Sequence, residues 1–594
     1  MTSGTAVGRV RRVAGPLVEV SDLPGLAMAE IVGLGAADLP GEVVALQHGT
    51  AVVQSYEYTG GLSPGDPVHA LGVPLVAPLG PGLLGSVVDG LLRPLDDVGD
   101  WLEPGRIDRV GTRRWTVHPV SEVGEAVGPG HVVATVDVPG SVEFRVLVPP
   151  AVRGRLHWCA QDGEYDETAD IASVVDEAGR EHAVPLVQRW PVRHARPSTD
   201  RVDSLSGLVT GQRVLDLLYP VARGSSAAVP GGFGTGKTML LQQVAKWCDA
   251  DVIVYVGCGE RGNEMADVVA DLADLVDPRT GAPLAHRTVV IANTSNMAMM
   301  AREASIYSGV TVAEFFRDMG HHAVVIADST SRWAEALREF ASRSGALPAE
   351  EGYPADLASS LAAFYERAGH VQTLGGNTGS VTVLGAVSPP GGDRTEPVTA
   401  NTERFVRCVW SLDRDLAYAR HYPAVSWTGS FSRDADDLAT WHTRNGDPGW
   451  AGRRSLVMSL LADADRLSAL AELVGLGSLP AAERIVILGA RLVREAVLQQ
   501  NALSENDASC SPQKGAALVR AVLDVVAQCE TLVERGVLAS TIEEHDYSRL
   551  VRAREDTPAD DVEGVLARRD EVVAGLAALD DSGPPNHADQ QEPT

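Results

Sequence analysis

The stretch Gly231-Gly-Phe-Gly-Thr-Gly236-Lys237-Thr238 fits the spacing GxxxxGK[ST]. Glycines without a Cβ let successive backbone N–H groups wrap a phosphate, with the positive end of a following helix aimed at it. In such a loop the Lys237 ammonium reaches the β- and γ-phosphates and the Thr238 hydroxyl holds Mg²⁺. The apolar stretch Ser226–Val229 before it, and a helix expected to start near Met239, give the strand–loop–helix context that the motif requires. Two acidic elements follow. The apolar run His322-Ala-Val-Val-Ile-Ala-Asp328 ends in a carboxylate that can reach the metal's hydration shell. After Val252–Val256 comes Gly257-Cys-Gly-Glu260-Arg261-Gly-Asn-Glu264-Met265. There Glu260 can orient and polarise an attacking water, and Arg261 can stabilise phosphate charge or hold Glu260. A ligand-free glycine turn, a buried strand that happens to end in Asp and a surface charge pair would give the same letters singly. Their order along one chain favours phosphoryl transfer.

These residues need a scaffold, and the composition permits one. The 594 residues are 44% hydrophobic and 22% charged, ordinary for globular chains of several domains. The net charge of −29 argues against nucleic-acid backbones and anionic lipid surfaces as direct partners. Six scattered cysteines with no CxxC pair suggest reduced thiols. No secretory leader or membrane span is expected, since Leu75–Leu92 is broken by proline, glycine and Asp89. Only Lys237, Lys246 and Lys514 are lysines among 50 basic residues, so the lysine in the glycine loop stands out. Short Val-rich segments between turns over 1–75 (Val7–Val13, Leu17–Val20, Glu42–Gln47, Thr50–Tyr56) predict a small β-barrel. Residues 76–110 read as a connection and 111–190 as a β-rich insertion whose polar residues form no ligand cluster or acid–base pair. From 191 to 434 strands such as Val252–Val256, Thr288–Ala292 and Ala323–Ala327 alternate with helices such as Met239–Ala250 and Ala301–Met319, a parallel sheet flanked by helices. Over 435–580 helical periodicity (Arg484–Gln500, Lys514–Arg535, Val562–Leu579) predicts a helical domain, and 581–594 an acidic disordered tail.

Longer runs carry a resemblance. GQRVLDLLYPVARG, AKWCDADVIVYVGCGERGNEM, LVDPRTGAPLAHRTVVIANTSNM, AREASIYSGVTVAEFFRDMG, DSTSRWAEALREF, EEGYP, FYERAG, GSVTVLGAVSPPGGD and HYPAVSW stand in order, with GGLSPGDPV and LGPGLLGSVVDGLLRPL ahead of them. The sequence resembles the catalytic A subunits of V/A-type rotary ATPases of the bacterial type, strongly from about 185 to 430 and more loosely outside. The resemblance implies a multidomain α/β protein with an N-terminal β-barrel, a β-rich insertion at 111–190 that distinguishes A subunits, a RecA-like phosphate-loop sheet and a C-terminal helical domain. It implies an ATP-hydrolysing or ATP-synthesising enzyme coupled to H⁺ or Na⁺ transport. The nucleotide would lie on Gly231, Gly232, Phe233, Gly234, Thr235, Gly236, Lys237, Thr238 and Met239, with the Tyr422 ring packed on adenine. Glu260 falls on the catalytic glutamate and Arg261 on a phosphate-contacting arginine. Mg²⁺ would be held by Thr238 and, through water, by Asp328 and Glu264. Implied partners are B subunits alternating in an A3B3 ring and supplying an arginine finger, central and peripheral stalks and, indirectly, a membrane proteolipid sector, with no nucleic acid. The implied location is cytoplasmic, peripheral to the inner face of the cell membrane.

Four positions depart from the family pattern: Leu503 follows Gln499-Gln500-Asn501-Ala502 where a second base-facing aromatic is usual, Ser360 replaces Arg, and Arg394-Thr395 replace Phe-Ser. They bear on base affinity and coupling rather than on hydrolysis. Other readings are an F-type β subunit, an export ATPase, a hexameric RNA translocase and a non-catalytic B-like subunit. The insertion and the GNEM run disfavour the first two, the acidic charge the third, and intact Lys237, Thr238, Glu260 and Asp328 the last.

Overall fold

The computed structural model describes residues 7–47, 49–95, 105, 113–140, 142–203, 205–277, 279–345 and 347–581. Residues 582–594 of the acidic tail and most of 96–112 in the connection lie outside them. The chain divides into two compact units. One contains the described residues up to 203 with Arg223–Pro230 and Ala250–Arg407; the other contains Leu205–Ala222, Gly231–Asp249 and the described residues from Cys408 onward.

In the first unit, six antiparallel strands close into a barrel: β1 (Val7–Ala14), β2 (Leu17–Ser21), β3 (Glu30–Leu34), β4 (Leu39–Gln47), β5 (Thr50–Ser55) and β6 (Pro67–Pro74), in the order β1-β2-β5-β4-β3-β6. Alternate residues point inward, so Val10, Val18, Val20, Val32, Leu34, Val43, Val53 and Val68 form its core. Four of these strands are expected from periodicity. The other two are hidden in sequence: β3 is buried along its whole length and carries Glu30, and β6 is bounded by prolines. Glu30 is tolerated because its carboxylate accepts the Ala27 and Gly72 N–H groups, both at 2.9 Å.

Within 111–190, two four-stranded antiparallel sheets form. The expectation of no acid–base pair here is corrected. His118 meets two carboxylates, its Nδ1 lying 2.5 Å from Asp162 and its Nε2 3.1 Å from Asp137. Those hydrogen bonds raise its pKa on an exposed surface. The three residues are far apart in sequence, so only the pairing of Arg114–Pro119 with Val132–Val136 and Gly163–Asp166 assembles them.

The centre of the first unit is a parallel sheet. Strands β7 (Ser226–Pro230), β8 (Val252–Cys258), β9 (Thr288–Asn293), β10 (His322–Asp328) and β11 (Thr378–Val387) pair in the order β7-β11-β10-β8-β9. Every residue of β7, β8 and β9 is buried, which explains unbroken apolar runs in place of alternation. In-register pairs such as Pro230–Val387, Ala327–Gly385 and Gly257–Asp328 bring the C-terminal ends of β7, β8 and β10 to one edge. Ligands of parallel α/β sheets bind beyond that edge.

In the second unit, residue 231 follows β7 directly, and helix α1 (Lys237–Trp247) starts two residues earlier than the periodicity predicts. Gly236 sets that start: its φ of +91° is left-handed and ends the loop abruptly. Further on, Ala481–Val493 continues into a π-turn at Arg494–Leu498 and is followed by Pro512–Glu534, Ser548–Asp556 and Val562–Asp581, the expected helical region. Ser511 caps the Pro512–Glu534 helix by accepting the Lys514 N–H. The Lys514 side chain is fully buried, and its ammonium donates to the carbonyls of Asn506 (3.1 Å), Arg554 (2.9 Å) and Thr557 (2.8 Å). Lys514→Met keeps the volume but strips three carbonyls, two of them buried, of their donor, and is expected to destabilise this unit by about 2–4 kcal/mol. Urea unfolding followed by far-UV circular dichroism checks this; an unchanged midpoint would mean that water replaces the ammonium.

Candidate active site

The glycine loop is shaped by its own lysine. Lys237 Nζ donates to the Gly231 (2.7 Å) and Gly232 (2.9 Å) carbonyls, and Thr235 Oγ1 donates to Gly232 O at 2.9 Å. Lys237 and Thr238 occupy the first turn of α1, where backbone N–H groups lack helical acceptors and the dipole favours an anion. Phe233, at the loop's tip, is 93% exposed, and Met239 is half exposed. The Tyr422 ring lies beside this loop: a Cβ on Gly236 would stand 3.6 Å from Tyr422 Cε1. Tyr422 is 44% exposed as a residue, leaving surface for a planar partner.

In the first unit, β8 and β10 position the acids. Asp328, 3% exposed at the end of β10, accepts from Tyr255 Oη at 3.2 Å. Past β8, Gly259 takes φ of +72°, and a Cβ there would approach Arg302 Cδ and Arg332 Cβ to about 3 Å. Only glycine makes that turn without strain. Backbone bonds from Gly259 N to Asn293 O (2.7 Å) and from Ser295 N to Glu260 O (2.9 Å) tie the loop to the end of β9. Glu260 is therefore held at a half-buried position. Burial pushes its carboxyl up to about 7, reinforced by the Asp328 charge and a hydrogen bond to Glu264, while the Arg332 guanidinium pulls it down. A carboxyl poised near neutrality is suited to proton transfer.

Arg261 is largely exposed and pairs with Glu264 at 3.7 Å, a weak surface contact. Tyr255 and Arg332 escape notice in the sequence. Tyr255 looks like an ordinary strand residue, and Arg332 lies in the Ser-Thr-Ser-Arg run after Asp328, engaged by Glu335 at 2.9 Å. Among the described residues, no group of three or more His, Cys, Asp or Glu side chains converges as a metal site. The Thr238 hydroxyl in the second unit, and the Asp328 and Glu264 carboxylates in the first, are each hard oxygen donors of the kind Mg²⁺ takes in small number alongside phosphate and water.

The ATP synthase alpha/beta family matches in four parts: its β-barrel domain at 10–72, its barrel-sandwich domain at 108–193, its nucleotide-binding domain at 211–432, and the C-terminal domain of V and A type ATP synthases at 439–540. The chain is 44% identical over 582 residues to the V-type ATP synthase alpha chain of Halothermothrix orenii, covering 96% of this chain and 98% of that one. It is 47% identical over 545 residues to the A subunit of the A-type ATP synthase of Methanopyrus kandleri (90% and 92% covered). It is 48% identical over 539 residues to the V-type ATP synthase alpha chain of Nitrosococcus oceani (89% and 91% covered). Barrel, insertion, phosphate-loop sheet and helical end follow that family's domain order, and the chain belongs to the A-subunit (alpha-chain) family of V- and A-type ATP synthases.

Proposed function

We propose that this chain is the catalytic subunit of a rotary, ion-translocating ATPase, hydrolysing or synthesising ATP where it meets B subunits of an alternating A3B3 ring. The observation that supports this most is Glu260, held near neutrality at the edge where β7, β8 and β10 all end, in a chain whose β7 runs straight into the phosphate loop. On this reading the loop from Gly231 to Met239 cradles the phosphates, Lys237 neutralises β- and γ-oxygens, and Tyr422 packs on the base. Thr238, with Asp328 and Glu264 through water, would hold Mg²⁺, which when bound neutralises charge on the phosphate oxygens. Glu260 accepts a proton from the attacking water, and Arg261 steadies phosphate charge. A nearby B subunit supplies an arginine finger. The chain would lie peripheral to the inner face of the cell membrane, joined through stalk subunits to a membrane proteolipid sector that moves the ions; among the described residues of this chain no helix is long and apolar enough to cross a membrane.

Glu260→Gln tests the chemistry. It is expected to keep Mg·ATP binding while kcat falls at least about 10²-fold, because the contribution it removes arises on the way to the transition state. The wild-type rate should rise with pH through about 7 as Glu260 loses its proton, and the variant should lack that limb. Steady-state phosphate release by the assembled ring, beside equilibrium nucleotide binding, checks both. Equal loss of binding and turnover would make Glu260 a structural carboxylate.

A further inference from the structure

We infer that Gln500 is the positioning residue for the base-facing aromatic Tyr422, an inference that rests on the reading of Tyr422 as the adenine contact. Tyr422 and Gln500 are 78 positions apart in the sequence, yet the Gln500 backbone N–H donates to the Tyr422 carbonyl at 2.8 Å. What holds that N–H in place is its own side chain, 4% exposed and bonded at both ends. Its Oε1 accepts from the Arg213 N–H at 2.9 Å, and its Nε2 donates to the carbonyls of Gly211 (2.9 Å) and Ala508 (3.3 Å).

Those anchors are themselves fixed. Asp507, next to Ala508 and fully buried, accepts the Asn501 N–H at 2.7 Å, pairs with Arg213 at 2.6 Å and also pairs with Arg554. Arg213 additionally donates to Val497 O (2.7 Å) and Gln499 O (2.5 Å), closing the ring of contacts around residue 500. A buried amide satisfied on both sides has one orientation and resists displacement, because every alternative strands a polar group. The backbone segment carrying Tyr422 therefore inherits its height above Gly236 from Gln500. The hydrogen bonds of Gln500 go to Tyr422, Arg213, Gly211 and Ala508, all outside Gly231–Met239, so its influence is expected on the base rather than on the phosphates.

The test uses the full chain and two probes: ADP, which needs both base and phosphate contacts, and inorganic tripolyphosphate, which needs only the loop. Titration calorimetry with Gln500→Ala is expected to show ADP affinity about tenfold weaker, as for two or three lost hydrogen bonds, with tripolyphosphate affinity unchanged within about twofold. Gln500→Met, which keeps the volume and the backbone N–H but loses every side-chain hydrogen bond, is expected to behave alike and replaces the alanine variant if that one does not fold. Tyr422→Ala is run beside them. If Tyr422→Ala weakens ADP selectively and both Gln500 variants leave it unchanged, the positioning role is overturned. If Tyr422→Ala itself has no selective effect, the base-contact reading fails first. Parallel loss of both probes in the Gln500 variants would mark a general structural role and also overturn the inference.

Discussion

Lys237→Ala is expected to abolish nucleotide turnover and to reduce Mg·ATP binding below detection at millimolar concentration. The ammonium already sits inside the loop, 2.7 and 2.9 Å from the Gly231 and Gly232 carbonyls, so its removal takes away both the phosphate counter-charge and the clasp that shapes the loop. No other lysine can replace it: Lys246 lies at the far end of α1 over the Trp247 ring, 4.6 Å from its centroid, and Lys514 is buried among carbonyls. Lys237→Arg is expected to fail as well. Two carbonyls of adjacent glycines accept a compact point donor, and a planar fork cannot enter between them without opening the loop. Equilibrium binding of a fluorescent ATP analogue and phosphate release decide the matter. Wild-type turnover in either variant would remove the phosphate-loop assignment.

The second large effect concerns the neighbour. Charge on the transferring γ-phosphoryl group needs a cation close to its equatorial oxygens, and an arginine finger contributes about 10³–10⁵ in rate. Within this chain the cations assigned to phosphate are Lys237 and Arg261, and the latter is an exposed side chain in a loose 3.7 Å pair with Glu264. The isolated chain is thus expected to bind Mg·ATP and to turn it over hardly at all, each site being completed only beside a B subunit. On the proposed reading that arrangement would give a route from rotation to chemistry, with a shift of the neighbour inserting or withdrawing the finger.

The placement of the glycine loop between strand and helix, and of the acids after strands, was legible in the sequence because it is local: eight consecutive residues make the loop, and an apolar run marks each acid's strand. The order of domains was legible for a similar reason, since period and composition change at each transition. What sequence could not show is whatever depends on distant residues meeting. Periodicity missed β3 and β6, whose inward and outward faces are not distinguished by polarity once the barrel closes. The contacts of His118 with Asp162 and Asp137 follow from strand register alone. Gln500 was visible as one of two adjacent glutamines, with nothing to say that one of them holds Arg213 across 287 positions. The retained lysines were the better clue: at Lys237 and Lys514 the amine binds several carbonyls at short range, a task for a compact ammonium. Leu503, where an aromatic is usual, proves 92% exposed, so it covers little by itself. Ser360 lies on the helix Leu357–Tyr365, and Arg394 pairs with Glu403 at 2.7 Å; nothing in the structure explains either substitution.

The most direct measurement is a titration of purified B subunit into this chain at saturating Mg·ATP, following phosphate release, with Glu260→Gln as the parallel sample. A catalytic site completed by a neighbour predicts near-zero release from the chain alone, a rise of about 10³-fold or more as B approaches equimolar amounts, and no comparable rise in the Glu260→Gln sample. Full activity from the chain alone, unchanged by B, would contradict it and describe a self-sufficient NTPase.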